Sequence, residues 1–110
     1  MKYLMLIFTE APGAEPTAAD MAQAGPWCEE LDARGIRLMG AGLRSAERAV
    51  SVQVRGGEVL RTDGPFAETK EVVAGFDLLD CAGLAEAIEV ASRHPAASMG
   101  RLELREIWGG

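Results

Sequence analysis

The chain has 110 residues, 48% hydrophobic and 25% charged, with a formal net charge of −6. That length fits one domain with a single core and little interior to spare, so a sizeable cavity is expected between subunits instead of within one. The acidic balance, with basic residues scattered singly, excludes nucleic-acid binding, and no stretch approaches the length of a membrane span.

In chain order, residues 2–8 (KYLMLIF) are a continuous apolar run of strand length. Tyr3, Met5 and Ile7 point one way and Leu4, Leu6 and Phe8 the other, so both faces of the strand need cover. The run imitates the start of a signal peptide, but it stops at Thr9-Glu10 with no small-residue cleavage site behind it. Cys28 and Cys81 lack a paired spacing and read as free thiols of a reducing compartment, which implies a cytoplasmic protein.

Residues 17–34 turn helical, with Met21, Ala24, Cys28 and Leu31 as the apolar stripe and Gly35 as the stop. Gly25-Pro26 predicts a kink or break in the middle, with Trp27 beside it. A strand follows over residues 37–44. Val50, Val52 and Val54 alternate with polar residues as a half-buried strand, which the Arg-Gly-Gly of residues 55–57 turns into a return over 58–61. Residues 72–81 form the next strand, Leu84, Ala87, Ile88 and Ala91 mark a second helix ended by His94-Pro95, and residues 101–108 alternate as the last strand. The order β-α-β-β-(β)-β-α-β predicts a ferredoxin-like α+β fold with both helices on one face of an antiparallel sheet and an added hairpin. The opposite face is left for a partner subunit.

Period-two counting sets Asp77, with Val73, Gly75 and Leu79, on one face of its strand, and Glu103, Arg105 and Ile107 opposite Leu102 and Leu104. The expectation is that Asp77, Glu103 and Arg105 share the open face. There they would serve either as an acid–base or ligand-binding group or as an intersubunit salt bridge.

Thr62 to Glu71 (TDGPFAETKE) concentrates the chemistry of the chain. Asp63-Gly64 is a turn dipeptide, Pro65 stiffens it, and Phe66 is an apolar anchor. Asp63 can accept from N–H groups of the turn, which would keep it ionised and a poor general base. Glu68, Lys70 and Glu71 read most simply as a solvated run. His94 sits in the last helical turn, where the macrodipole favours a cation; it reads as a capping side chain or as a proton carrier. One His and two distant Cys cannot assemble a zinc site, and no spaced acidic motif suggests a hard cation, so neither metal nor cofactor is expected. No phosphate loop or Ser-His-Asp constellation is present.

TDGPFAETKEVVAGF, with MKYLMLIF before it and AEAIEVASRHPAA and GRLELREIW after it, resembles the YCII-related family in its DGPF-motif branch. The resemblance implies ferredoxin-like subunits paired sheet to sheet as a dimeric α+β barrel. It implies a small-molecule enzyme or binder, and only Asp63, in the motif itself, carries over as candidate acid or base; Asp77 stands where such sequences usually carry an aromatic residue. Taken with the open sheet face, Gly64, Pro65, Phe66, Asp77 and Arg105 are the candidate ligand contacts near the dimer interface. The alternative implied by the same resemblance is a non-enzymatic accessory protein of an extracytoplasmic-function sigma-factor or stress-response system, met through the exposed AETKE run. In a third reading the loop only locks the dimer.

Overall fold

The computed structural model describes residues 1–10, 13–64 and 71–109. Pro65, Phe66, Glu68 and Lys70 lie outside the described residues. The apolar opening segment becomes β1 (Lys2–Thr9), the first of six strands in the order β1, α1 (Ala18–Ala33), β2 (Arg37–Gly42), a 3-10 turn (Ala46–Arg48), β3 (Val50–Arg55), β4 (Glu58–Asp63), β5 (Val72–Asp80), α2 (Leu84–Ser92), α3 (Ala96–Met99) and β6 (Arg101–Glu106). The short α3 is an addition to the expected plan.

Four strands form one antiparallel sheet in the order β2-β5-β1-β6. β1 is thus an interior strand, paired with β5 on one edge and β6 on the other. It pairs Met5 with Asp77 and Leu104, and Tyr3 with Leu79 and Glu106; its register with β5 shifts between Ile7 and Phe8. Two β-α-β units, β1-α1-β2 and β5-α2-β6, therefore interleave in an α+β fold. Tyr3, Met5, Leu79 and Cys81 pack with Trp27 and Leu31 of α1 and Ala87, Val90 and Ala91 of α2 in one core. Both helices lie on the same face. Leu4, Leu6, Phe8, Phe76 and Leu78 stand on the other, half-buried.

A capping box opens α1: the Thr17 hydroxyl accepts from Asp20 N–H and the Asp20 carboxylate accepts from Thr17 N–H. The expected break at Pro26 does not occur, and α1 runs through it. Ala22, whose carbonyl loses its partner to the proline, is on the exposed side, where water can replace the missing N–H. The next residue, Trp27, is buried and donates its indole N–H to Val90 O at 2.8 Å, tying α1 to α2.

The anticipated stripes need two corrections. In α1, Leu31 is core, but Met21 is 61% exposed and Ala24 and Cys28 are only half-buried. In α2 the buried face is Ala87, Val90 and Ala91, while Leu84 and Ile88 are exposed. The hairpin β3–β4 forms a separate two-stranded sheet, closed by Gly56 and Gly57, both at positive φ as a two-residue turn requires. Val50, Val52, Val54 and Val59 are between 50% and 71% exposed, so the valine alternation is present but within one chain covers nothing.

Candidate functional site

A cleft of about 340 Å³ opens between α1 and the helix-covered face of the sheet, within a single chain. A sizeable cavity is expected between subunits, yet this one lies within a single chain, and the reason lies in small residues. Gly40 and Gly42 of β2 and Gly75 of β5 line the cleft and remove three side chains from its floor. Added Cβ atoms would strike Asp77 Oδ1 at position 40, Pro16 Cγ at 2.9 Å at position 42 and Ala41 O at 2.9 Å at position 75. Met21, Ala24 and Cys28, the α1 stripe that misses the core, form the opposite wall. The turn between α2 and α3 closes one end with His94, Pro95 and Ala96.

Asp77 lies in this cleft and is only 5% exposed. Its placement corrects the expected grouping with Glu103 and Arg105. Asp77 pairs with Met5, on the face of Leu79 and the helices, whereas Arg105 pairs with Leu4 on the opposite face. What allows a carboxylate under the helices is Arg37, at the start of β2, which donates from Nε to Asp77 Oδ1 at 2.8 Å. Arg37 Nη1 also donates to Asp32 of α1 at 3.1 and 3.3 Å. Burial nevertheless dominates and raises the pKa of Asp77 against the lowering effect of Arg37. Burial works against the charge of Arg37 too, but its hydrogen bonds to Asp77 and Asp32 outweigh that and raise its pKa. Among the described residues no hydrogen bond reaches Asp77 Oδ2.

His94 is 8% exposed, with its ring edge-on to Trp27 at 4.7 Å between centroids. It does not behave as the helix-terminal cation that its sequence position suggests. Burial lowers its pKa, so the imidazole is neutral at pH 7. Its Nδ1 accepts from Ala96 N–H at 3.0 Å, which puts the ring hydrogen of the neutral form on Nε2. No acceptor for Nε2 is present among the described residues.

Two further carboxylates around the cleft are already matched. Glu15 accepts from Arg44 Nε at 2.9 Å and from Ser45 N–H at 2.6 Å, which lowers its pKa, and Asp20 is held by the capping box. Cys28 is kept a thiol because burial raises its pKa. No group of three or more metal-ligating side chains occurs among the described residues.

The other anticipated site residues are elsewhere. Asp63 ends β4 with its side chain 75% exposed and accepts from Arg61 Nε at 2.8 Å instead of from the turn backbone. Gly64 has φ +82° and donates its N–H to Ala49 O at 2.7 Å, which is the conformational reason for glycine there. Neither Asp63 nor Arg105 lines the cleft, and Pro65 and Phe66 lie outside the described residues. Reasoning from the sequence passed over Arg37 and the glycine floor. The signal for the floor was visible in Gly40 and Gly42, weighed only as a phosphate loop.

Interleaved β-α-β units with both helices on one face, and a cleft that gathers a buried carboxylate and a neutral imidazole beneath α1, define an α+β chain with one built concavity. The chain belongs to the YCII-related family, whose domain model matches residues 1–109. It is 33% identical over 105 residues to an uncharacterised protein of Rhizobium meliloti (strain 1021), with 80% of this chain and 85% of that protein covered. No helix among the described residues is long and apolar enough to cross a membrane.

Proposed function

We propose that the protein binds a small, largely apolar organic molecule in the cleft beneath α1, with Asp77 and His94 as its polar contacts. One observation carries this reading: Asp77 Oδ2 and His94 Nε2 have no protein partner among the described residues, and both side chains line the same cleft. Neither atom is sealed from the cleft, since no fully buried side-chain nitrogen or oxygen among the described residues lacks a partner, so both can be matched there by a ligand or by water. The volume falls in the range of small-molecule sites, roughly 300–1,000 Å³. The ligand is uncharged or carries no net negative charge. Arg37, the one Lys or Arg lining the cleft among the described residues, already donates to two carboxylates.

The working unit of this reading is a homodimer of ferredoxin-like subunits, sheet to sheet, in the DGPF branch of the family. Leu4, Leu6, Phe8, Phe76, Leu78 and the exposed Met39 supply the apolar face, and Glu103 and Arg105 supply charges of both signs on it. A second copy fits because such a face meets its own charges in opposite order across a twofold axis.

The test is a thermal-shift screen of wild type and Ala24→Phe against small phenols, ketones, lactones and amides. Ala24 is half-buried on the cleft wall, so phenylalanine fills the space without striking the backbone floor. A ligand at 100 times its dissociation constant adds about 2.7 kcal/mol. Hits lost in Ala24→Phe support the reading, and hits retained by it place binding elsewhere.

A further inference from the structure

We propose that the cleft takes a carbonyl compound with an acidic C–H beside the carbonyl, Asp77 Oδ2 accepting that proton and His94 Nε2–H holding the oxygen. This inference rests on the cleft being the ligand site and adds the class of substrate and the reaction.

The chemistry follows from what each group can still do. With Nδ1 accepting from Ala96 N–H, His94 presents a donor to the cleft and not a lone pair. It suits an oxygen that gains negative charge and is poorly arranged to remove a proton. Asp77 has the opposite capacity: Oδ1 is committed to Arg37 and Oδ2 remains as an acceptor. An acceptor and a neutral donor lining one apolar cleft match the two ends of an enolisable carbonyl group. Covalent acyl transfer would instead need a protein nucleophile, and burial keeps Cys28 a thiol. Arg37 acts as a positioning residue, fixing the carboxylate through Nε and held in turn by Asp32.

In the step, the C–H bond breaks and its proton goes to Asp77 Oδ2. The electron pair of that bond forms the new carbon–carbon double bond, and the carbonyl π pair moves onto oxygen as the enolate. His94 Nε2–H donates to that oxygen. While it sits on Asp77 the proton can exchange with solvent, so in D2O a deuteron returns to the same carbon as exchange, or a hydron goes to the far end of a conjugated system as double-bond migration. Atoms and electrons balance with no oxidant or reductant, water serving only as the source of the exchanged hydron. Burial supports both roles, since it makes Asp77 a stronger base than a surface carboxylate and keeps His94 neutral.

The experiment follows loss of the C1 proton signals of 2-tetralone in D2O by NMR, with cyclohexanone and cyclohex-3-enone as further probes. The same proteins are titrated with 2-naphthol, an enol mimic, and with benzyl alcohol, which cannot enolise. Wild type is expected to exchange at least one ketone tenfold or more above buffer. Asp77→Asn loses that rate while still binding 2-naphthol. His94→Ala falls to near the buffer rate, as removal of an oxyanion donor predicts, and His94→Gln, which keeps an N–H donor, recovers part of it. Exchange undiminished in Asp77→Asn overturns the proposal. If 2-naphthol or benzyl alcohol stabilises wild type but not Ala24→Phe while no ketone exchanges, the cleft reading stands and enolisation falls. If there is neither binding nor exchange, both fall.

Discussion

Replacing Asp77 by Asn is expected to raise stability at pH 7 while removing function. The ionised carboxylate is 5% exposed and has one charge-assisted hydrogen bond, at 2.8 Å from Arg37. Desolvating a carboxylate costs several kcal/mol, and a hydrogen bond to a charged group returns about 1.5–3 kcal/mol. The deficit has the same sign as the pKa of Asp77, which burial raises. With the folded value above the unfolded one, the favourable contribution is complete only below about pH 3.9 and is lost as pH rises through the folded value. Once the pH has passed the folded value, the ionised side chain carries its cost. Asparagine has nearly the same shape, still offers an oxygen to Arg37 Nε, and leaves Arg37 paired with Asp32 at 3.1 Å. A gain of about 1 kcal/mol is expected, or about 4 °C in Tm for a domain of this size. Calorimetric melts of both proteins between pH 4 and 8 measure it, and the gap should close toward the acid end. A loss of about 3–5 kcal/mol, the cost of breaking a structural buried pair, would refute the reasoning and make Asp77 a structural residue.

Other substitutions probe the same frame. Gly40→Ala drives a Cβ into Asp77 Oδ1 and the Arg37 guanidinium, and should cost about 1–3 kcal/mol in denaturant titrations. Trp27→Phe leaves Val90 O without its indole donor and should lower stability by about 1–3 kcal/mol, read from the shift of the urea midpoint. Asp63→Asn breaks an exposed ion pair with Arg61 and should change stability by no more than about 0.5 kcal/mol. For His94 the folded pKa lies below the unfolded value, so its contribution is complete above about pH 6.5 and is lost as pH falls through the folded value. Melts from pH 7.5 to 5 should show that decline in wild type and a shallower one in His94→Gln. Val52→Lys on the exposed hairpin, or Leu6→Glu on the open sheet face, should shift the proposed dimer toward monomer in sedimentation equilibrium.

Much of the architecture was legible because it depends on local pattern. The run of residues 2–8 reads as a strand apolar on both faces, and it forms β1, between β5 and β6. The strand and helix order followed from periodicity and turn residues. Alternation divides β5 correctly into two faces, yet it cannot say which half lies beneath the helices. That depends on Leu79 and Cys81 joining the core, and it carries Asp77 inside with them. The compensating charge, Arg37, is 40 positions away and no spacing rule links the two. His94 sits at a helix end where the macrodipole favours a cation, but its ring is buried against Trp27 of α1 and burial prevails. The cleft itself arises from missing atoms at Gly40, Gly42 and Gly75, on two strands that only the tertiary fold makes neighbours.

The most direct test of the cleft as the ligand site is an amide-resolved NMR titration of the 15N-labelled protein with 2-naphthol or the strongest screening hit. The account predicts shifts concentrated on Gly40, Gly42, Gly75 and Asp77 in the floor and on Ala24, Cys28 and His94 in the walls, and abolished in Ala24→Phe. Shifts confined to the hairpin and to Asp63 and Gly64, with the glycine floor unmoved, would contradict it.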